Sequence, residues 1–216
     1  MDGRHVIRTK AFTLIELLVV VAILALLTGI LLPSVSRAKR LAKITKAHAE
    51  LRGITMAIEM YRQVNHDHIP PTRFSCSSRT AYDLPVELTP FLPSGRRDNL
   101  DVIAMPDPFV RDQTYRYRAV GPGILNESTL LANASTLWIP DGFGGEEEAD
   151  TGRYHSDPRT SPVLYAVWSM GPAPASALFD IPGRLPLPQK YWLKSGCEAG
   201  VIVHYQDASR QLHMSP

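Results

Sequence analysis

The chain has 216 residues, 44% of them hydrophobic and 20% charged, with a formal net charge of +2, 18 prolines and two cysteines. So small a charge does not supply the basic footprint of a nucleic-acid binder. Two cysteines allow at most one disulfide, so the fold must rest on an apolar core.

The first ten residues carry Arg4, Arg8 and Lys10. From Phe12 to Leu32 the chain is apolar, with one charge, Glu16. A hydrocarbon core about 30 Å thick needs roughly 20 apolar residues of helix, so this stretch is long enough to cross a bilayer. An unpaired carboxylate at full depth costs on the order of 2.5–3.5 kcal/mol, so Glu16 is an expense that a plain anchor would avoid. A secretory signal peptide has a shorter apolar region, and Pro33-Ser34-Val35-Ser36-Arg37 is a poor small-x-small cleavage site. A plain signal anchor fits the length but leaves Glu16 without a purpose. The remaining reading puts cleavage before the apolar run and keeps that run in the mature chain.

The residues Lys10-Ala11-Phe12-Thr13-Leu14-Ile15-Glu16-Leu17-Leu18, continuing apolar to Leu27 with Pro33 beyond, resemble the N-terminus of type IV pilins and of type II secretion pseudopilins. The resemblance implies cleavage between Ala11 and Phe12 by a prepilin peptidase that also N-methylates Phe12. The family usually has Gly where this chain has Ala11. It further implies that Phe12, Glu16 and Pro33 are the assembly residues, Pro33 standing at the family's helix-kinking position. A buried carboxylate is tolerable when paired, so in a helical stack Glu16 of one chain is expected to meet the Phe12 amine of a neighbour. The bland reading is that Glu16 snorkels to the headgroups from about one turn inside.

Arg37, Lys39, Arg40, Lys43 and Lys46 follow the apolar run and outnumber the positive charges before it. Counting charges therefore puts the C-terminal body in the cytoplasm. The resemblance implies the opposite: a short cytoplasmic leader, one pass through the bacterial inner membrane, and a periplasmic body. Anionic lipid headgroups or acidic patches on adjacent subunits suit the basic cluster.

Leu41, Ile44, Ala47, Leu51, Ile54, Ile58 and Tyr61 recur in steps of three and four, which predicts an amphipathic helix continuing to about Gln63. Its apolar face is expected to cover a small sheet, with a coiled-coil partner as the rival. The expected organisation is a leader over 1–11, a membrane and assembly helix over 12–33, the amphipathic half of the helix over 34–66, and a globular α+β domain over 67–216. That domain is expected to be a small antiparallel sheet with long Pro-rich loops, a pilin-like fold. Strands are predicted over Thr114–Val120, Leu164–Ser169 and Val201–Tyr205, with a weaker one around Leu212. Residues 70–113, 121–160 and 171–200 read as loops, with a short helix possible within 81–92.

Two strings in the body again resemble pseudopilins: Asp107-Pro108-Phe109 with Tyr115-Arg116-Tyr117, and Val167-Trp168-Ser169-Met170-Gly171-Pro172. In secretion-type members the loop after the second string often binds calcium. Here Ala173-Pro174-Ala175 replaces the family's Asp-Gly. The acid-rich stretch Asp141–Asp150 offers Asp141, Glu146 and Asp150 as calcium donors, or else is a solvated acidic loop. His66-Asp67-His68 lacks a third ligand and reads as a solvent-facing turn. Cys76 and Cys197 form one disulfide in an oxidising compartment or remain two thiols. No nucleophile elbow, P-loop, dinucleotide fingerprint or metalloprotease motif occurs, so the expected role is structural.

The functional expectation is a pseudopilin of a type II secretion-like fibre. Its partners would be the prepilin peptidase and methyltransferase, other pilin-like subunits, inner-membrane assembly machinery and membrane lipid, with no nucleic acid. The alternatives are a subunit of a true type IV pilus, and a membrane-tethered periplasmic enzyme or binding protein.

Overall fold

The computed structural model describes residues 12–74, 83–92, 105–110, 113–125, 129–145, 147–174 and 184–216. Helix α1 spans Leu14–Val64 with Pro33 inside it. The chain divides into two compact units, Met1–Ala42 and Lys43–Pro216.

Within the first unit, α1 is exposed along its apolar residues, from Leu14 (81%) to Leu32 (62%). It is long and apolar enough to cross a membrane. Thr28 and Ser36 return their hydroxyls to the carbonyls of Leu24 (2.7 Å) and Leu32 (3.0 Å). Those bonds pair both hydroxyl protons within the helix, as an apolar surrounding requires. Pro33 lacks the N–H that would bond the carbonyl of Gly29, which loosens the helix at that turn.

The second unit begins with the amphipathic half of α1. Ala47, Leu51, Ile54 and Ile58 are fully buried or nearly so, and Ile44 and Tyr61 are partly buried. The expected stripe therefore covers a sheet, although Leu41 at its start is exposed. The helix ends where His66 (φ 51°) and Asp67 (φ 67°) take left-handed conformations. There the Asp67 N–H bonds the Arg62 carbonyl at 2.9 Å and closes the last turn.

The strands are β1 (Thr72–Phe74), β2 (Arg116–Ala119), β3 (Gly121–Leu125), β4 (Thr129–Ser135), β5 (Leu137–Pro140), β6 (Gly152–His155), β7 (Val163–Ser169), β8 (Ile202–Asp207) and β9 (Leu212–Met214). The central sheet has the order β2-β7-β8-β9 and is antiparallel throughout. Tyr117, Tyr165, Val167 and Ile202 face α1, together with Leu84 and Leu88 of the 3-10 helix Val86–Phe91 and its approach. The intervening residues Ala166, Trp168, Val201, Val203 and Tyr205 pack on a second cluster with Leu137, Ile139, Leu187 and Trp192. Period-two alternation thus serves two cores, which is why β7 and β8 read as nearly continuous apolar runs.

The strands predicted near 114–120, 164–169 and 201–205 and the tail around Leu212 are all present. The region 121–160 departs from expectation. In place of a loop it holds β3 to β6, arranged as a three-stranded sheet β1-β3-β4 and a separate β5-β6 pair. Gly-Pro-Gly-Ile-Leu has weak strand propensity. Pro122 is accommodated because the β3–β4 register slips between Gly121 and Gly123, a bulge where no ladder donor is required. β1 joins β3 in parallel, so the body is not purely antiparallel.

Candidate functional site

Thr13 precedes α1 and Glu16 occupies its third helical position. The Thr13 N–H donates to Glu16 Oε2 at 2.9 Å, and the Thr13 hydroxyl donates to the same oxygen at 2.7 Å. In return, the Glu16 N–H donates to Thr13 Oγ1 at 3.3 Å, and the Thr13 carbonyl accepts the Leu17 N–H at 3.2 Å. This is a capping box: each residue satisfies a donor that the helix start would otherwise strand. Phe12, one residue before, is 71% exposed, and Ala11 lies outside the described residues.

The sequence reading singled out Glu16 for its charge and missed Thr13. The signal was present as Thr-x-x-Glu directly before an apolar run. Glu16 is therefore held by its own chain, with its carboxylate one turn from Phe12. A polar contact of this kind costs little near the membrane surface and leaves a carboxylate oxygen able to accept a further cationic donor.

The two body strings that resemble pseudopilins are brought together. The Ser169 hydroxyl, at the end of β7, reaches Asp107 Oδ1 and Oδ2 at 2.9 and 2.8 Å. The N–H groups of Phe109 and Met170 donate to the same carboxylate at 2.9 Å each. Burial pushes the Asp107 carboxyl above its ordinary range, and these donors together with Arg116 pull it back only in part. Gly171 follows with φ 62° and its N–H on Ser169 Oγ at 3.1 Å.

The acid-rich stretch finds protein partners. Asp150 pairs with the Lys190 ammonium, and Glu148 accepts the Gln189 N–H at 2.7 Å. Asp141 is exposed; its backbone N–H and carbonyl close the turn through Thr151 and Ala149 at 2.9 Å each. Glu146 lies outside the described residues, among which no group of three or more His, Cys, Asp or Glu side chains is placed to hold a metal ion. Cys197 is exposed, and Cys76 lies outside the described residues. Asp67 of the His-Asp-His string is taken by Arg62 and Arg210. His68 Nδ1 lies 2.9 Å from the Asn65 carbonyl.

The family profile of the prokaryotic N-terminal methylation motif matches residues 7–32. The chain is 41% identical over 56 residues to the type II secretion system core protein G of Pseudomonas aeruginosa. That similarity covers 26% of this chain and 39% of the relative. No solved structure matches the chain. The N-terminal segment, with its capped, membrane-length helix, therefore carries a prepilin-type methylation motif, and the α+β body that follows has a pilin-like architecture.

Proposed function

We propose that this chain is a pseudopilin, a structural subunit of a type II secretion-like fibre. The observation that carries the reading is the likeness to core protein G, which adds a secretion-type relative to a motif shared with pilins in general. In this reading a prepilin peptidase cuts between Ala11 and Phe12 and methylates the new amine. The subunit then waits in the inner membrane with its body in the periplasm, until assembly machinery packs its helix against those of other subunits.

The chemistry of the helix start supports the assembly step. Cleavage creates a cation at Phe12, four residues before a carboxylate that the chain already holds in place through Thr13. Burial between neighbouring helices removes water from both charges, and a buried carboxylate needs a cationic donor. Glu16 of one subunit facing the Phe12 amine of the next meets that need and sets the axial register.

Mass spectrometry of the native N-terminus tests the processing. The expected chain begins at Phe12 and is one methyl heavier than the unmodified sequence. A chain beginning at Met1, or beyond Pro33, defeats the reading. Loss of secretion on deletion, without loss of long surface fibres, is the expected outcome that separates a secretion fibre from a type IV pilus.

A further inference from the structure

His48 of α1 and His204 of β8 meet across the helix–sheet boundary, both within the second unit. His48 Nδ1 lies 3.3 Å from His204 Nε2, and the ring centroids are 5.6 Å apart. The centroid separation exceeds the nitrogen separation by about two ring radii, so the two nitrogens point along the line between the rings. That is the geometry of one N–H shared between two imidazoles. It is not the geometry of a metal site, where two lone pairs converge on a third point.

His204 is fully buried, and its Nδ1 has no hydrogen-bond partner among the described residues. Its neighbours on the sheet are neutral: Val167 across on β7, Met214 across on β9, and Gln206 as the next residue on its own face of β8. From α1 the charged group is Arg52, one turn beyond His48, with its guanidinium 3.8 Å from Met214 Sδ. The charges acting on the pair are those of Arg52 and of the two rings themselves. Among the described residues, no carboxylate acts on either ring to balance an added proton.

We propose that His48 and His204 form an acid-sensitive latch between α1 and the central sheet, closed while they share one N–H and opened when both rings are protonated. One added proton leaves an imidazolium donating to an imidazole, and the bond survives. A second sets N–H against N–H, with Arg52 as a third positive group beside them. Repulsion then acts at the point where Ala47 and Leu51 seat the helix.

The direction of the pH effect follows from burial. Desolvation holds His48 below its ordinary value and takes His204 to about 4. Both are depressed, so below the ordinary histidine range the unfolded chain binds more protons than the folded one. The contribution to stability is full above that range and declines as pH falls from about 6.5 toward about 4.

The test uses the full chain in detergent micelles. NMR titration of the imidazoles in the wild-type protein should show His204 still neutral at pH 5. Amide exchange of residues 44–58, corrected for intrinsic rates, should accelerate between pH 6 and 4. The urea midpoint should shift downward over the same interval, and in His48→Gln, where burial of His204 remains but the facing ring is gone, it should shift less far. Both histidines titrating at the ordinary value, or a His48→Gln midpoint as acid-sensitive as wild type, overturns the latch. These readouts concern one subunit and do not depend on fibre formation.

Discussion

Asp107 and Ser169 lie 62 positions apart and are joined by hydrogen bonds of 2.9 and 2.8 Å, with both residues buried. The bond ties the segment before β2 to the end of β7, and the Met170 N–H, also on Asp107, fixes the turn that follows. Ser169→Ala should cost about 2 kcal/mol, the range for a hydrogen bond to a buried charged group. The Phe109 and Met170 amides remain as donors, so the fold should survive. Urea unfolding measures the loss, and carboxyl NMR should show Asp107 rising further. An unchanged midpoint would mean that water replaces the hydroxyl.

Two glycines should respond with opposite signs. A Cβ on Gly171 would lie 1.9 Å from the Gly200 carbonyl oxygen, and Gly171 has φ 62°. Gly171→Ala should therefore cost several kcal/mol or abolish folding, because a backbone atom cannot step aside as a flexible side chain would. Gly53, in α1, has nothing within 4 Å of its ideal Cβ, and Gly53→Ala should raise stability by about 1 kcal/mol. Thermal unfolding of the pair provides its own control.

The capping box allows the two roles of Glu16 to be separated. Gln serves the third position of a capping box as well as Glu does, so Glu16→Gln should keep the helix start but lose the charge. Thr13→Ala should loosen that start by about 1 kcal/mol, seen as faster amide exchange over residues 14–17. If the carboxylate pairs with a neighbour's Phe12 amine, Glu16→Gln should insert and be processed yet assemble poorly. Normal fibre incorporation of Glu16→Gln would reduce Glu16 to a cap.

Arg62 is 4% exposed and bonds Asp67 at 2.7 Å, Gln206 at 2.8 Å and Glu59 at 3.2 Å. Breaking a buried ion pair commonly costs about 3–5 kcal/mol because a charge is stranded. Here the acids left behind, Glu59 and Asp67, are 45% and 51% exposed, and water can take them up. Arg62→Met, which keeps the packing of the stem, should therefore cost only about 1–2 kcal/mol by chemical denaturation.

How much was legible in the sequence varies along the chain. Local periodicity carried α1 and the strands β2, β7, β8 and β9, because their side-chain spacing repeats within a few residues. It failed for β3 and β4, whose Gly, Pro, Ala and Asn pair through a bulged hairpin that no propensity describes. At the helix start the charge of Glu16 was read and its partner Thr13 was not, although the spacing of the two was plain.

By itself the sequence determined that a membrane-length apolar helix follows a prepilin-type junction and continues as an amphipathic helix, because each of those facts is a local pattern of residue types. Only the tertiary structure decided that Asp107 bonds Ser169, that Lys190 engages Asp150, and that His48 faces His204. Those pairs lie far apart in the chain and depend on sheet order and on which face of a strand each residue takes, neither of which a local pattern encodes.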